Sequence, residues 1–234
     1  MKIQKGFTLA EVLIAIGIVG ILAAVTMPAL MNNAGKQSIG TSLLKAMNTL
    51  DNANKLALTH EDTTKISAAC KDYDDYLVCI KPHLNFTKTD LSSAKYHENF
   101  LGTDSAKTYK SGIGSVNAYS TKDNITFLMD NKDLSVQEDA DDTYIGKYYT
   151  VYVDVNGVNK APNSYGKDIF KFKIDDSGSV IPIGSGADKS YSGHDGSEPD
   201  WKKNCPNNKM PIADKGLDCT GSIVDNSGKI AYKY

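Results

Sequence analysis

From Val12 to Leu30 the chain carries 19 consecutive residues without one ionisable side chain. A helix needs roughly 20 such residues to cross a bilayer, whereas the apolar core of a secretory signal runs to roughly 7–15. Lys2 and Lys5 precede the stretch and Ala23-Ala24 is a small pair, so a cleaved export signal is the first reading to test. Three features oppose it. The stretch is long, Glu11 sits at its head, and it runs on into a second helical pattern instead of a loop. Glu11 raises its own question, because no lysine within the run is placed to neutralise it.

In the second pattern Ile39, Leu43, Ala46, Met47, Leu50, Ala53, Asn54 and Ala57 recur at three- and four-residue spacing. That spacing draws one stripe along a helix. Lys36, Gln37, Lys45, Asn48, Asp51, Asn52 and Lys55 fall on the opposite side. The two patterns together predict one helix from Phe7 to Thr59, about 80 Å long at about 1.5 Å per residue. Its first half, residues 7–31, suits lipid. Its second half, residues 32–59, suits the surface of a globular body. Pro28 lies near the junction, removes one backbone donor and is expected to kink the helix. Gly17, Gly20 and Gly35 weaken it further.

Residues 60–234 are polar and turn-rich, with scattered strand signals. Tyr76 to Ile80 is a short apolar run, and Ile125, Phe127 and Met129 alternate. Tyr149, Val151, Val153 and Val155 form an apolar row, as do Phe170, Phe172 and Ile174, with Lys171 and Lys173 between them. Half-buried antiparallel strands alternate in this way, so the lysines are expected on a wet face and the apolar rows against the helix stripe. Ser179 to Ile183, Ser222 to Val224 and the last six residues complete the expected strands. Asn226-Ser227-Gly228 reads as the turn of a terminal hairpin. One long helix followed by strands is an α+β fold.

The net charge is −2, and all 26 basic residues are lysine. No basic block stands out after the first residues, so no nucleic-acid partner is expected. The acidic run Gln137 to Asp142 reads as a solvated loop. Cys70, Cys79, Cys205 and Cys219 form no CxxC pair, which argues against zinc and thioredoxin-like chemistry. In an exported chain an even count points to disulfides. Four cysteines allow three connectivities, of which the near-neighbour pairing Cys70–Cys79 with Cys205–Cys219 closes two short loops and is preferred.

The segment GFTLAEVLIAIGIVGILAAVTMP, Gly6 to Pro28, resembles the N-terminus of type IV prepilins and of the pseudopilins of type II secretion. The shared pattern is a short basic leader ending in Gly, then Phe, Thr-Leu, a Glu at the fifth mature position, and an apolar stretch with a Pro. The resemblance implies a leader of residues 1–6, cut by a prepilin peptidase between Gly6 and Phe7, and methylation of the new Phe7 amino group. It implies a single-pass subunit in a bacterial inner membrane with its head, residues 60–234, in the periplasm. An inner-membrane assembly platform would then draw it into a homo-oligomeric pilus or pseudopilus at the cell surface. It also implies a long helix lying on an antiparallel sheet, and a disulfide-bounded C-terminal region, here Cys205 to Cys219. Glu11 is the fifth mature residue. Its carboxylate would pair with the Phe7 ammonium of a neighbouring copy, which gives the charge a purpose beyond snorkelling to the headgroups.

Two stretches of the head invite chemical readings. Asp154, Asn156 and Asp168 offer oxygens of the kind Ca²⁺ takes, and some major pseudopilins bind calcium. The loop is no EF-hand, because Gly157 comes two residues early and no closing Glu follows. A strand connection shaped by Asn, Gly and Pro is the plainer reading, and neither a metal nor a cofactor is assigned. Gly184 to Asp200 reads as a surface loop beside Trp201 and Cys205. Its His194, Asp195, Ser192 and Ser197 are adjacent in sequence, whereas a catalytic triad is assembled in space by a fold. His60, His83 and His97 stand apart in sequence, and no enzyme is expected. The functional expectation is a structural filament subunit. The alternatives are a minor pilin whose head binds DNA, a surface or a secreted substrate, and a plain anchored domain, which would have no need of Glu11.

Overall fold

A computed structural model describes residues 7–73, 75–98, 100, 102, 104–113, 117–129, 135–138, 144–188, 202, 205, 216–217, 219–230 and 232. Helix α1 spans Leu9–His60, close to the expected bounds, and its hydrogen-bonded run continues on both sides of Pro28. Its N-cap is Thr8, and the N–H of Glu61 closes it by bonding to the Ala57 carbonyl at 3.0 Å. The two halves meet different surroundings. Ile14, Ile18, Ile21 and Leu30 are each more than half exposed. Leu43, Ala46, Leu50, Ala53, Asn54 and Ala57 are buried, and Ile39 and Met47 partly so. Among the described residues α1 is the helix long and apolar enough to cross a membrane, with a mean hydropathy of 2.5 over its richest window.

The buried stripe lies on an antiparallel sheet. Its strands are β1 (Thr87–Lys88), β4 (Ala118–Ser120), β5 (Thr126–Met129), β6 (Ser135–Glu138), β7 (Tyr144–Asp154), β8 (Ile169–Asp175) and β9 (Val180–Pro182). They run in the order β1-β4-β5-β7-β8-β9, with β6 also pairing β7. Val151 stands opposite Met129 and Phe172, and Val153 opposite Phe127 and Phe170. These rows share a core with the α1 stripe, so period two on the strands meets the helical period on α1. The α+β architecture of a long helix on an antiparallel sheet is the one the sequence predicts.

Three expectations need correction. Tyr76–Ile80 is a helix, α3, not a strand. The Asp75 side chain accepts from the Leu77 N–H at 2.7 Å and caps it, and a five-residue apolar run carries no period that separates helix from strand. Before it, α2 spans Ile66–Ala69. Residues Ser222 to Val224 lie in a helix too, α5 (Cys219–Asp225), so there is no hairpin there. The turn after it is a helix stop: Ser227 and Gly228 have φ of 54° and 83°, and the Gly228 N–H reaches back to the Ile223 carbonyl at 2.8 Å. Finally, Lys171 and Lys173 do not face open water. Lys173 is buried against Asp188 at 3.0 Å, and Lys171 lies over the Tyr152 ring.

The outer face of the sheet is further covered by a second lobe. The ribbon β2 (Lys95–Tyr96) with β3 (Lys107–Thr108) and helix α4 (Tyr109–Gly112) packs Tyr96, Tyr109 and Ile113 onto Leu128, Tyr165 and Ile169. Leu128 is therefore as buried as its neighbours Phe127 and Met129 on the other face.

Helix α1 and the turn after α5 meet at two glycines. A Cβ on Gly40 would lie 1.7 Å from the Gly228 carbonyl oxygen. Gly40→Ala gains about 1 kcal/mol of helix propensity but forces backbones apart at a cost of about 1–3 kcal/mol. We expect a net fall in the thermal unfolding midpoint of the full-length protein in detergent. Gly35→Ala, where nothing lies within 4 Å, should raise or keep it.

Candidate functional site

At the head of α1 the Glu11 carboxylate is not bare. Its Oε2 accepts from the Thr8 N–H at 2.8 Å and from the Thr8 hydroxyl at 2.9 Å. The Glu11 N–H in turn donates to Thr8 Oγ1 at 3.3 Å. This is a reciprocal capping box, in which the first N–H groups of a helix find side-chain acceptors. Thr8-x-x-Glu11 spells it in the sequence, where the expected intermolecular role of Glu11 hid it. The box satisfies hydrogen bonds and leaves the negative charge in place. Phe7 precedes it, 87% exposed, while residues 1–6, with Gly6, lie outside the described residues.

The head contains a second carboxylate site, at the end of the β7–β8 ladder. Asp154 and Asp168 are both fully buried. Asp154 Oδ1 accepts from the N–H groups of Asn156 at 3.2 Å and Gly157 at 2.8 Å, and Oδ2 meets the Tyr109 hydroxyl at 2.9 Å. Asp168 Oδ1 accepts from the Ser164 N–H at 2.7 Å. Its Oδ2 accepts from the Asn163 N–H at 2.8 Å and from Asn156 Nδ2 at 3.2 Å. Asp154, Asn156 and Asp168 are thus brought together as their spacing suggested. The contacts around the carboxylates come from N–H and O–H donors, and the pair works as the frame of the connection. Among the described residues no cluster of three His, Cys, Asp or Glu side chains is placed to hold a metal ion.

The disulfides are Cys70–Cys79, with Cα atoms 5.4 Å apart, and Cys205–Cys219, at 4.8 Å. Cys70–Cys79 ties α2 to α3 under the end of α1, and Cys205–Cys219 ties the chain to α5. Among the histidines, His60 and His83 meet with ring centroids 5.7 Å apart, a proximity that their separation in sequence hides. His97 is held by Asp104 at 3.2 Å. Ser192, His194, Asp195, Ser197 and Trp201 lie outside the described residues, as does most of the acidic run.

Residues 1–27 match the family model of the prokaryotic N-terminal methylation motif, the signature of type IV prepilins and pseudopilins. The motif points to a structural protein and not to an enzyme. No solved structure matches the chain.

Thr8→Val keeps the shape of the side chain and removes its oxygen. Loss of a cap costs about 1 kcal/mol, roughly a fivefold change in an equilibrium. Hydrogen exchange of the amides in the first turn of α1, measured in micelles, should quicken by that factor, with the head unaffected.

Proposed function

We propose, from the methylation motif and the anchor that follows it, that this pilin-like chain is a structural subunit of a type IV pilus or a type II secretion pseudopilus. A prepilin peptidase removes residues 1–6 and methylates the Phe7 amine. The protein waits in the inner membrane with its head in the periplasm, and an assembly platform packs it into a filament through α1. The observation that carries the reading is the division of α1: an exposed apolar half headed by one carboxylate, joined to a half locked into the head.

The physics follows from that division. A carboxylate at the centre of a membrane helix costs roughly 2.5–3.5 kcal/mol, less near an end. Cleavage places a cationic amine on Phe7, and methylation preserves its charge. In a bundle of copies the Glu11 carboxylate of one subunit meets the Phe7 ammonium of the next. In apolar surroundings a missing partner leaves a charge unpaired, so the pair sets the register between neighbours. The exposed apolar faces then bury one another.

Glu11→Ala should leave the protein inserted and processed but strongly reduce filaments recovered by shearing, or the output of the secretion machine. Normal yield from that strain would remove the basis for the assembly role. Independently, mass spectrometry of the mature protein should find methylated Phe7 at its N-terminus. An intact leader from Met1 to Gly6 would overturn the processing step.

A further inference from the structure

The sheet and the outer lobe are clipped together by the β7–β8 connection. Tyr109 of α4 reaches Asp154, and Asn163 Nδ2 donates to the Lys95 carbonyl at 3.0 Å. The His97 N–H donates to the Asn163 carbonyl at 2.7 Å. Both carboxylates that frame this clip are buried, and among the described residues neither has a lysine or histidine as an ion-pair partner. Two adjacent buried charges of one sign without a counter-ion are costly.

The donor pattern shows where relief is available. Among the described residues every hydrogen-bond partner of Asp168 is an N–H group, which donates and never accepts. Asp168 therefore suits the ionised form. On Asp154, Oδ1 also faces two N–H groups, but among the described residues Oδ2 faces only the Tyr109 hydroxyl. A hydroxyl can reverse and accept. We propose that Asp154 and Asp168 hold one proton between them, seated on Asp154 Oδ2 and donated to the Tyr109 oxygen, so that the outer lobe docks less firmly as rising pH removes it.

The surrounding groups agree. Among the described residues the titratable neighbours of the pair are Tyr109 from α4, then Tyr96 of β2, its tilted ring 4.9 Å from Tyr109, and Tyr165 of the connection, 5.3 Å from Tyr96. Burial, and then the nearby Asp154 charge, raise the pKa of the Tyr109 phenol, which keeps it available as a neutral partner. Burial and then the Asp168 charge push Asp154 from 3.8 up to about 8. Burial raises Asp168 too, opposed by the Ser164, Asn163 and Asn156 donors. The sign follows. Between about 4 and about 8 the docked state keeps a proton that the undocked state has lost, so docking weakens as the pH climbs through that window.

The test is hydrogen exchange of residues 104–113 in the full-length protein in detergent, corrected for the intrinsic effect of pH. In the wild type, protection should fall by up to about tenfold per pH unit from about pH 5 to about pH 8 and then level off. Asp154→Asn copies the protonated acid, donating to Tyr109 and accepting from Asn156 and Gly157, so its protection should be high and flat. Asp168→Asn sets an amide N–H against fixed N–H donors and should lose protection at every pH. If Asp154→Asn keeps the wild-type slope, or fails as Asp168→Asn does, the proposal is wrong. Infrared spectra of the wild type need no variant: a protonated-carboxyl band present at about pH 6 should vanish by about pH 9, and its absence at the lower pH overturns the assignment. Abolition of the wild-type slope by Ca²⁺ would also overturn it, since a cation would then be the neutralising group.

Discussion

The fold depends on the burial of one stripe of α1 against one face of the sheet. Leu43, Leu50, Phe127, Val153, Phe170 and Phe172 all have no exposed surface, and side chains of this size are worth about 1.5–3 kcal/mol each when fully buried. Within the stripe stands one polar residue, Asn54, also fully buried. It accepts from the Tyr76 hydroxyl at 2.5 Å and donates to the Gly178 carbonyl at 2.8 Å. Apolar burial alone would tolerate small slips along the helix. Asn54 does not, because a slip strands three buried polar groups, each at a cost of about 1–3 kcal/mol. It thereby fixes α1 to α3 on one side and to the turn between β8 and β9 on the other.

That lock gives the two halves of α1 opposite roles. The C-terminal half belongs to the head and moves with it. Among the described residues the N-terminal half has no surface of its own chain to cover it. Water cannot serve as its surroundings, since Ile14, Ile18, Ile21, Leu22 and Val25 would lie open to it. Lipid or the same helix of other copies can, and a subunit that passes from one to the other uses one apolar surface for both.

What was legible follows from the length and period of each signal. Five turns of amphipathic helix repeat the same stripe often enough to leave no doubt of its face, and β7 and β8 alternate cleanly over most of their length. Tyr76 to Ile80 is too short to show a period, and its helix is decided by Asp75 and by the Cys70–Cys79 bridge. Ser222 to Val224 is decided by its seat on the sheet: a Cβ on Gly221 would lie 2.3 Å from the Ser185 nitrogen, so α5 packs backbone to backbone. The outer lobe was hidden for a different reason. Lysine at alternate positions of β8 mimics a wet face, while the ammonium groups of Lys171 and Lys173 in fact lie over Tyr152 and Tyr148. Lys173 also meets Asp188, which lies beyond the end of β9, and the lobe of residues 94–113, whose sequence has no strong period of its own, covers Leu128 and Ile169 on the same face. At the candidate site, the motif around Glu11 was fully legible, whereas the capping box and the Tyr109–Asp154 contact were not read, the first because another role was more conspicuous and the second because 45 residues separate the partners.

The two carboxylate sites solve one problem in opposite ways. Burial makes an acid costly, and three remedies exist: hydrogen-bond donors, a proton, or a counter-charge. Asp168 has the first from fixed N–H groups, and Asp154 is placed to use the second through Tyr109, so the head neutralises its own interior. Among the described residues Glu11 has only the first, from Thr8, and the capping box leaves its charge intact. A proton would serve an isolated helix well enough, but it would carry no information about a neighbour. In the proposed filament a cation at the end of another chain would, because it would neutralise Glu11 at one axial offset and at no other. Under the proposed function, the Glu11 site is therefore the one suited to specify how copies stack. The site completed internally, around Asp154 and Asp168, is the one suited to hold the head in shape.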